Sequence, residues 1–321
     1  MTTYKNVRYK LPAVTLSGVT EASPAEGDIW YNSGKFNLGT SQTFTGAWSS
    51  GGNLSAAKYG PAGAGTQSAG LCIGGYVGGP TTTTEEYNGS SWSAGGSMAT
   101  TRHYLGGCGT QDAALAIGGW IGSFTGSCEE YNGSSWSSAG SVSYNIINEA
   151  ACGTQTAGLA MGGYGPLDDT SEYNGTSWSA GGDLASARAY PGGAGTQSAG
   201  LCMGGEVGPS NVTEEYNGTS WSSGGNLGTA RYAGAAAGTQ SAALFEGGST
   251  TTYSNVTEEY NGTAWSAGGN IITARNNLAG CGTQAAGLCF GGYTSTGSSA
   301  ATEEYSGLPS YDLLFNAVSG S

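Results

Sequence analysis

Short apolar stretches alternate with Gly-, Ser- and Thr-rich polar ones along residues 42–305, and none follows the 3.6-residue period of a helix face. The copy 231–270 shows the pattern in full. Tyr232–Gly238 is apolar and built of small residues, as a strand crowded by neighbours requires. Thr239-Gln240 turns the chain, and Ser241–Gly248 reads as a second strand, apolar enough to be covered on both faces. Its Gly247-Gly248 end permits positive φ or close backbone approach. A polar loop, Ser249–Asn255, leads to a third strand, Val256–Tyr260. Asn261-Gly262 predicts a type I′ hairpin with two positive φ values, and Thr263-Ala264-Trp265 opens a fourth strand whose Trp fills the gap to the next unit.

This unit recurs. Tyr-Asn-Gly-Ser/Thr-Ser/Ala-Trp stands at Tyr87–Trp92, Tyr131–Trp136, Tyr173–Trp178, Tyr216–Trp221 and Tyr260–Trp265, with a degenerate copy ending at Trp48 and a truncated one, Glu303–Gly307. Gly-Thr-Gln begins at Gly65, Gly109, Gly153, Gly195, Gly238 and Gly282, and a Gly-Gly pair follows each about ten residues on. Four short antiparallel strands per period of about 43 residues, six times over, predict an all-β fold: a six-bladed β-propeller over residues 42–305. The last copy supplies three strands, from about Arg275 to Tyr305, so Trp48–Leu54 is expected to complete that blade and close the ring. Residues 1–41 then form a separate N-terminal segment and 306–321 a tail.

Gly and Pro make up about a fifth of the 321 residues, near the range of low-complexity chains. Aromatics on a fixed period argue against disorder. Only 10% of residues are charged, and the net charge of −13 excludes a nucleic-acid partner, which would need Lys and Arg to neutralise phosphates. No apolar run is long enough to cross a membrane, and the N-terminus carries no apolar h-region, so no secretion signal is expected. The cysteines interchange with Ala at equivalent positions: Cys108, Cys152 and Cys281 at one, Cys72, Cys202 and Cys289 at another. Small buried side chains in a reducing compartment follow, not disulfides or metal ligands.

The spacing of Gly-Gly, Tyr, Trp and then Arg ten residues on resembles the kelch repeat; the resemblance covers residues 42–305, with shorter repeats richer in Gly, Ala and Ser. Kelch-like copper oxidases need several His and Tyr ligands, but His103 is the only histidine, read as a strand-end side chain. The turns lack the sialidase Asp-box spacing, Asp168-Asp169 gives only a weak calcium signal, and no zinc spacing exists. No catalysis, cofactor or metal is expected.

Two constellations remain as candidate binding sites. Lys58, Arg102, Arg188, Arg231 and Arg275 occupy one equivalent position, ten residues after each anchor Trp, where the third repeat has Ile146. They read either as an anion-binding ring at one mouth of the channel or as structural partners of the Glu-Glu-Tyr strands, and their repetition favours structure. The loops between second and third strands vary, and Tyr76, Trp120, Phe124, Tyr164, Tyr253 and Tyr293 stand in them beside many hydroxyls, a combination suited to sugars. The Asn-Gly-Ser/Thr triplets fit the glycosylation sequon, but the hairpin itself demands Asn-Gly.

Ser23–Ser33 resembles a segment of bacteriophage tail-fibre and other virion proteins. The resemblance implies a virion protein, assembled in the host cytoplasm and anchored to other virion proteins through residues 1–41. Its propeller is then expected to contact a host-surface glycan or neighbouring subunits, and homo-oligomer formation suits such a role. The alternatives are an intracellular kelch-type adaptor between proteins and a polysaccharide-active enzyme.

Overall fold

The computed structural model describes residues 29–32, 35–38 and 46–307, apart from 166 and 207 and the side chains of 29–38 and 143–145. The contacts divide the chain between Thr45 and Gly46. In the first unit the described residues form one hairpin, Ile29–Asn32 against Lys35–Leu38. The rest of Ser23–Ser33 and the tail beyond 307 lie outside the described residues.

The second unit is a six-bladed β-propeller of four-stranded antiparallel sheets. Blade 1 shows the plan: Ala62–Thr66, Ala69–Ile73, Thr84–Tyr87 and Trp92–Ala94, paired in sequence order. Blades 2 to 5 begin at Gly106, Ala150, Gly192 and Ala235, and blade 6 at Ala279. Blade 6 takes its fourth strand, Ala47–Ser50, from the N-terminal side, with Trp48 opposite Tyr305. The ring is therefore closed by pairing strands from both ends of the propeller, as a single continuous sheet edge would not allow.

The innermost strands alternate buried and half-buried residues, and their buried positions are Ala and Cys residues together with Gly106 and Gly192. Seven cysteines are free and buried. The second strands are covered throughout, with Leu71, Leu115, Leu159, Leu201, Leu244 and Leu288 fully buried. The Asn-Gly turns differ from expectation. Trp265 pairs with Tyr260, so the loop has four residues; Gly262 has φ +85°, while Asn261 keeps a negative φ. Asn is chosen here for its side chain: Asn261 Oδ1 accepts from the Thr263 and Ala264 amides at 3.0 and 2.9 Å. The asparagine mimics a backbone turn instead of tolerating a left-handed one.

Each blade is tied to the one before it by three side chains. The Gln of Gly-Thr-Gln donates from Nε2 to two carbonyls of the preceding blade, as Gln197 does to Gly158 (3.0 Å) and Tyr173 (2.7 Å). Gln67 does so across the closure, to Gly287 and Tyr305. The Tyr hydroxyl donates to the second Glu of the preceding Glu-Glu-Tyr, for example Tyr216 to Glu172 at 2.7 Å. The Trp indole donates to a threonine of the preceding blade, for example Trp265 to Thr213 at 2.9 Å. Trp178 has no such partner, because Cys128 stands where the other blades carry that threonine. Blade 2 is irregular here: its third strand shifts register twice, and its fourth runs on from Trp136 to Ile146.

At one end of the axis the backbone closes on itself. Gly60, Tyr104, Asn148, Tyr190, Ala233 and Asn277 each donate a backbone N–H to the carbonyl of the equivalent residue in the preceding blade, at 2.7–3.1 Å, from Gly60 to Asn277 round to Asn277 to Ala233. All six have φ between +49° and +61°. That conformation costs most non-Gly residues about 1–2 kcal/mol and Asn less, so the ring of bonds holds Tyr104, Tyr190 and Ala233 against their preference.

The tie between blades gives a direct test. Gln197→Ala leaves the Gly158 and Tyr173 carbonyls without their donor and is expected to lower unfolding free energy by about 1–3 kcal/mol, read from urea denaturation. An unchanged midpoint would mean that water replaces the amide at no loss.

Candidate functional site

Antiparallel pairing puts the loops between second and third strands at the same end as the segments that enter the innermost strands. Isolated bridges join the two sets, such as Tyr59 to Tyr76, His103 to Trp120 and Tyr232 to Ser249. This end carries the backbone ring, which rims a cavity of about 80 Å³ on the axis. The Gln and Asn-Gly turns lie at the opposite end.

The five basic residues lie beneath this end and do not face solvent. Lys58, Arg102, Arg188, Arg231 and Arg275 are at most 2% exposed. Each meets the first Glu of its own blade's Glu-Glu-Tyr: Lys58 to Glu85 at 2.7 Å, Arg102 to Glu129, Arg188 to Glu214, Arg231 to Glu258 at 3.4 Å and Arg275 to Glu303 at 3.0 Å. The arginines also close off carbonyls; Arg188 Nη1 donates to Gly204 and Val212. Burial opposes ionisation of Glu85, but hydrogen bonds from Lys58 and Ser55 prevail and hold its carboxyl below the usual range. Blade 3 lacks both partners at once, with buried Ile146 and Ser171 in place of base and acid. Loss of the pair as a unit is what a buried ion pair predicts, since either charge alone would be left uncompensated.

Those five are the only Lys and Arg residues of the propeller; the other four precede residue 46. Only four of the 22 acidic residues, Glu21, Glu26, Asp28 and Asp312, lie outside residues 46–307, so the propeller carries the whole formal charge of −13. Its surface offers no lysine or arginine to an anion.

The six loop aromatics come together. Tyr253 lies 6.3 Å from Tyr293, Tyr293 5.4 Å from Tyr59, and Tyr59 5.0 Å from Tyr76, measured between ring centroids. Tyr59 continues through Tyr104 to Tyr190, Tyr190 to Tyr164, Tyr164 to Phe124, and Phe124 to Trp120. The connecting rings Tyr59, Tyr104 and Tyr190 were not among the loop candidates. Their signal in the sequence is a Tyr one or two residues after the basic position, in the segment entering the innermost strand. Apart from Ile272, the exposed large hydrophobics among the described residues are Val77, Ile121, Phe124, Tyr164 and Tyr293, all in these loops. Such clustering of apolar surface marks an interaction face.

His103 is buried among Tyr59, Tyr76 and Tyr104, and burial lowers its pKa. Burial pushes the Cys72 thiol up to about 12 and Cys128 to about 11. Among the described residues, two buried carboxyls have no ion-pair partner. Glu246 is fully buried where other blades place Ile73, Ile117, Met161, Met203 or Phe290, and neither of its oxygens has a hydrogen-bond partner among the described residues. Burial raises its pKa to about 8, against the pull of Arg231 and Arg275. Glu149 is likewise pushed up to about 8 by burial, although its Oε1 accepts from the Gly106 amide at 2.9 Å.

Fold and face together define a propeller with a binding role. No family model matches the chain, and no curated protein matches it significantly.

Two outcomes follow from the buried charges. Arg188→Ala strands Glu214 and is expected to destabilise by about 3–5 kcal/mol, whereas Arg188→Ile with Glu214→Ser, the blade 3 pair, recovers most of that in denaturant unfolding. Glu246 and Glu149 titrate higher in the folded chain than unfolded, so their contribution is complete below about pH 4.5 and lost as pH rises to about 8. Tm is expected to fall across that window, and Glu246→Gln to flatten the fall; a slope unchanged in the variant would count against a neutral Glu246.

Proposed function

We propose that the chain is a non-catalytic display protein of a bacteriophage virion, whose kelch-type propeller holds neutral carbohydrate on its aromatic loop face. The observation that carries the ligand class is the pairing of that face with a propeller of net negative charge whose lysines and arginines are all buried. Sugars stack a C–H face on aromatic rings and hydrogen-bond at their edges. The loops supply rings beside Ser and Thr hydroxyls, while every lysine and arginine of the propeller is buried against a glutamate. Acidic glycans, acidic peptides and nucleic acids are thereby disfavoured, and the basic residues serve as partners of the glutamates instead of as an anion-binding ring.

The non-catalytic part rests on the state of the reactive groups. The single histidine is packed among tyrosines, and burial holds the thiols protonated. The virion part rests on the resemblance of Ser23–Ser33 to tail-fibre proteins, with residues 1–41 joining the propeller to other virion proteins. An adaptor between intracellular proteins would use the same face for a peptide.

A glycan array probed with the intact protein tests the ligand class. Retention on neutral oligosaccharides with no gain on sialylated or sulfated ones is expected; preference for the acidic probes, or no retention, overturns it. Quantitative mass spectrometry of purified particles tests the location, and a chain absent from them removes the virion role.

A further inference from the structure

The residue after the Gly-Gly pair that follows the second strand differs between blades. Five of the six side chains there are large: Tyr76, Trp120, Tyr164, Glu206 and Tyr293. Blade 5 alone has a small one, Ser249. In blade 1 the equivalent Tyr76 stacks on Tyr59 at 5.0 Å and fills the space over the junction. In blade 5 that space is open. It forms a depression of about 700 Å³ lined by Tyr232, Ser249, Thr250, Thr252, Tyr253 and Asn276 among others, a size typical of small-molecule sites.

We infer that this depression between blades 5 and 6 is a subsite for one ring of a neutral saccharide, an inference that rests on the carbohydrate reading above. Tyr232 and Tyr253 flank it, and each is braced by another ring, Tyr190 at 6.0 Å and Tyr293 at 6.3 Å. Braced aromatics present a stacking surface that loses little freedom on binding. Asn276 supplies the directional contact. Its Nδ2 donates to Ser249 Oγ at 2.8 Å and its Oδ1 accepts from Asn277 Nδ2 at 3.2 Å, so the amide is oriented while one N–H and one lone pair have no partner among the described residues. An amide of that kind matches a sugar hydroxyl, which both donates and accepts. No charged side chain lines the depression. The neighbouring Arg231 and Arg275 are fully buried and committed to Glu258 and Glu303.

The other blades show that the fold accepts an aromatic at position 249, which makes Ser249→Tyr the decisive variant. Its binding to the neutral oligosaccharide best retained by the wild type is measured by isothermal titration, with Tm recorded alongside. A loss of at least about tenfold with Tm unchanged is expected. Equal affinity of S249Y and wild type overturns the subsite while leaving the carbohydrate reading intact; failure of the wild type to bind any neutral oligosaccharide removes both. Should S249Y not fold, Asn276→Ala and Tyr253→Ala carry the same test, and unchanged affinity in both overturns the subsite.

Discussion

At the loop end of the axis six peptide groups pass a hydrogen bond from blade to blade until the chain of bonds returns to its start. A ring of this kind admits no partial version, since five bonds would leave one buried donor and one acceptor without partners. It fixes the angle between neighbouring blades, and with it the height at which the entering segments and the second-to-third loops meet. The left-handed φ at the non-Gly positions, above all Tyr104, Tyr190 and Ala233, is the local strain that this closure imposes. The Gln, Tyr and Trp bonds repeat the constraint farther out, so the load is shared across each interface. Strand Ala47–Ser50 completes it by giving blade 6 the Trp that blade 5 must receive, Trp48 donating to Thr257 at 3.0 Å.

The buried ion pairs belong to the same logic. A propeller with short strands and many glycines has little apolar area per blade, and a buried pair adds little net stability by itself. What the pair does is anchor the loop end: Arg188 binds the carbonyls of Gly204 and Val212 as well as Glu214. The guanidinium thus adds a donor at the carbonyls where the second strand ends and the variable loop returns, and Val212 O accepts from the Gly204 amide as well. In blade 3 the position of the base is held by Ile146, which is buried and pairs with Thr125 of the preceding blade as Arg102 does with Thr81.

Blade number, strand order and closure were legible because each rests on a residue type repeated at a fixed interval. Trp, Tyr and the Gly-Gly pair cannot recur in this way without a repeated environment. The inter-blade role of Gln was hidden in a turn, since its partners are carbonyls and carbonyls leave no mark on a sequence. The backbone ring was hidden for the same reason. Its positions hold Gly, Tyr, Asn, Tyr, Ala and Asn, of which only Gly and Asn suggest positive φ. The aromatic face was half legible: the six loop residues could be named, but Tyr104 and Tyr190 lie on other segments and join them only in three dimensions. The Asn-Gly turns show the converse error, where a strong local signal was right about the turn and wrong about the reason for Asn.

A frame over-determined in this way frees its loops. Because six equivalent interfaces hold the ring, one blade can carry Ser249 where others carry an aromatic, and a depression forms there without collapse of the blade. On the carbohydrate reading proposed above, two terms of different range divide the work of selection: the net negative charge of the propeller rejects anions before contact, and the shape left by a missing aromatic decides what fits once contact is made. A binding surface built by subtraction from a repeat needs no new scaffold for each ligand, only a different blade from which to remove a ring.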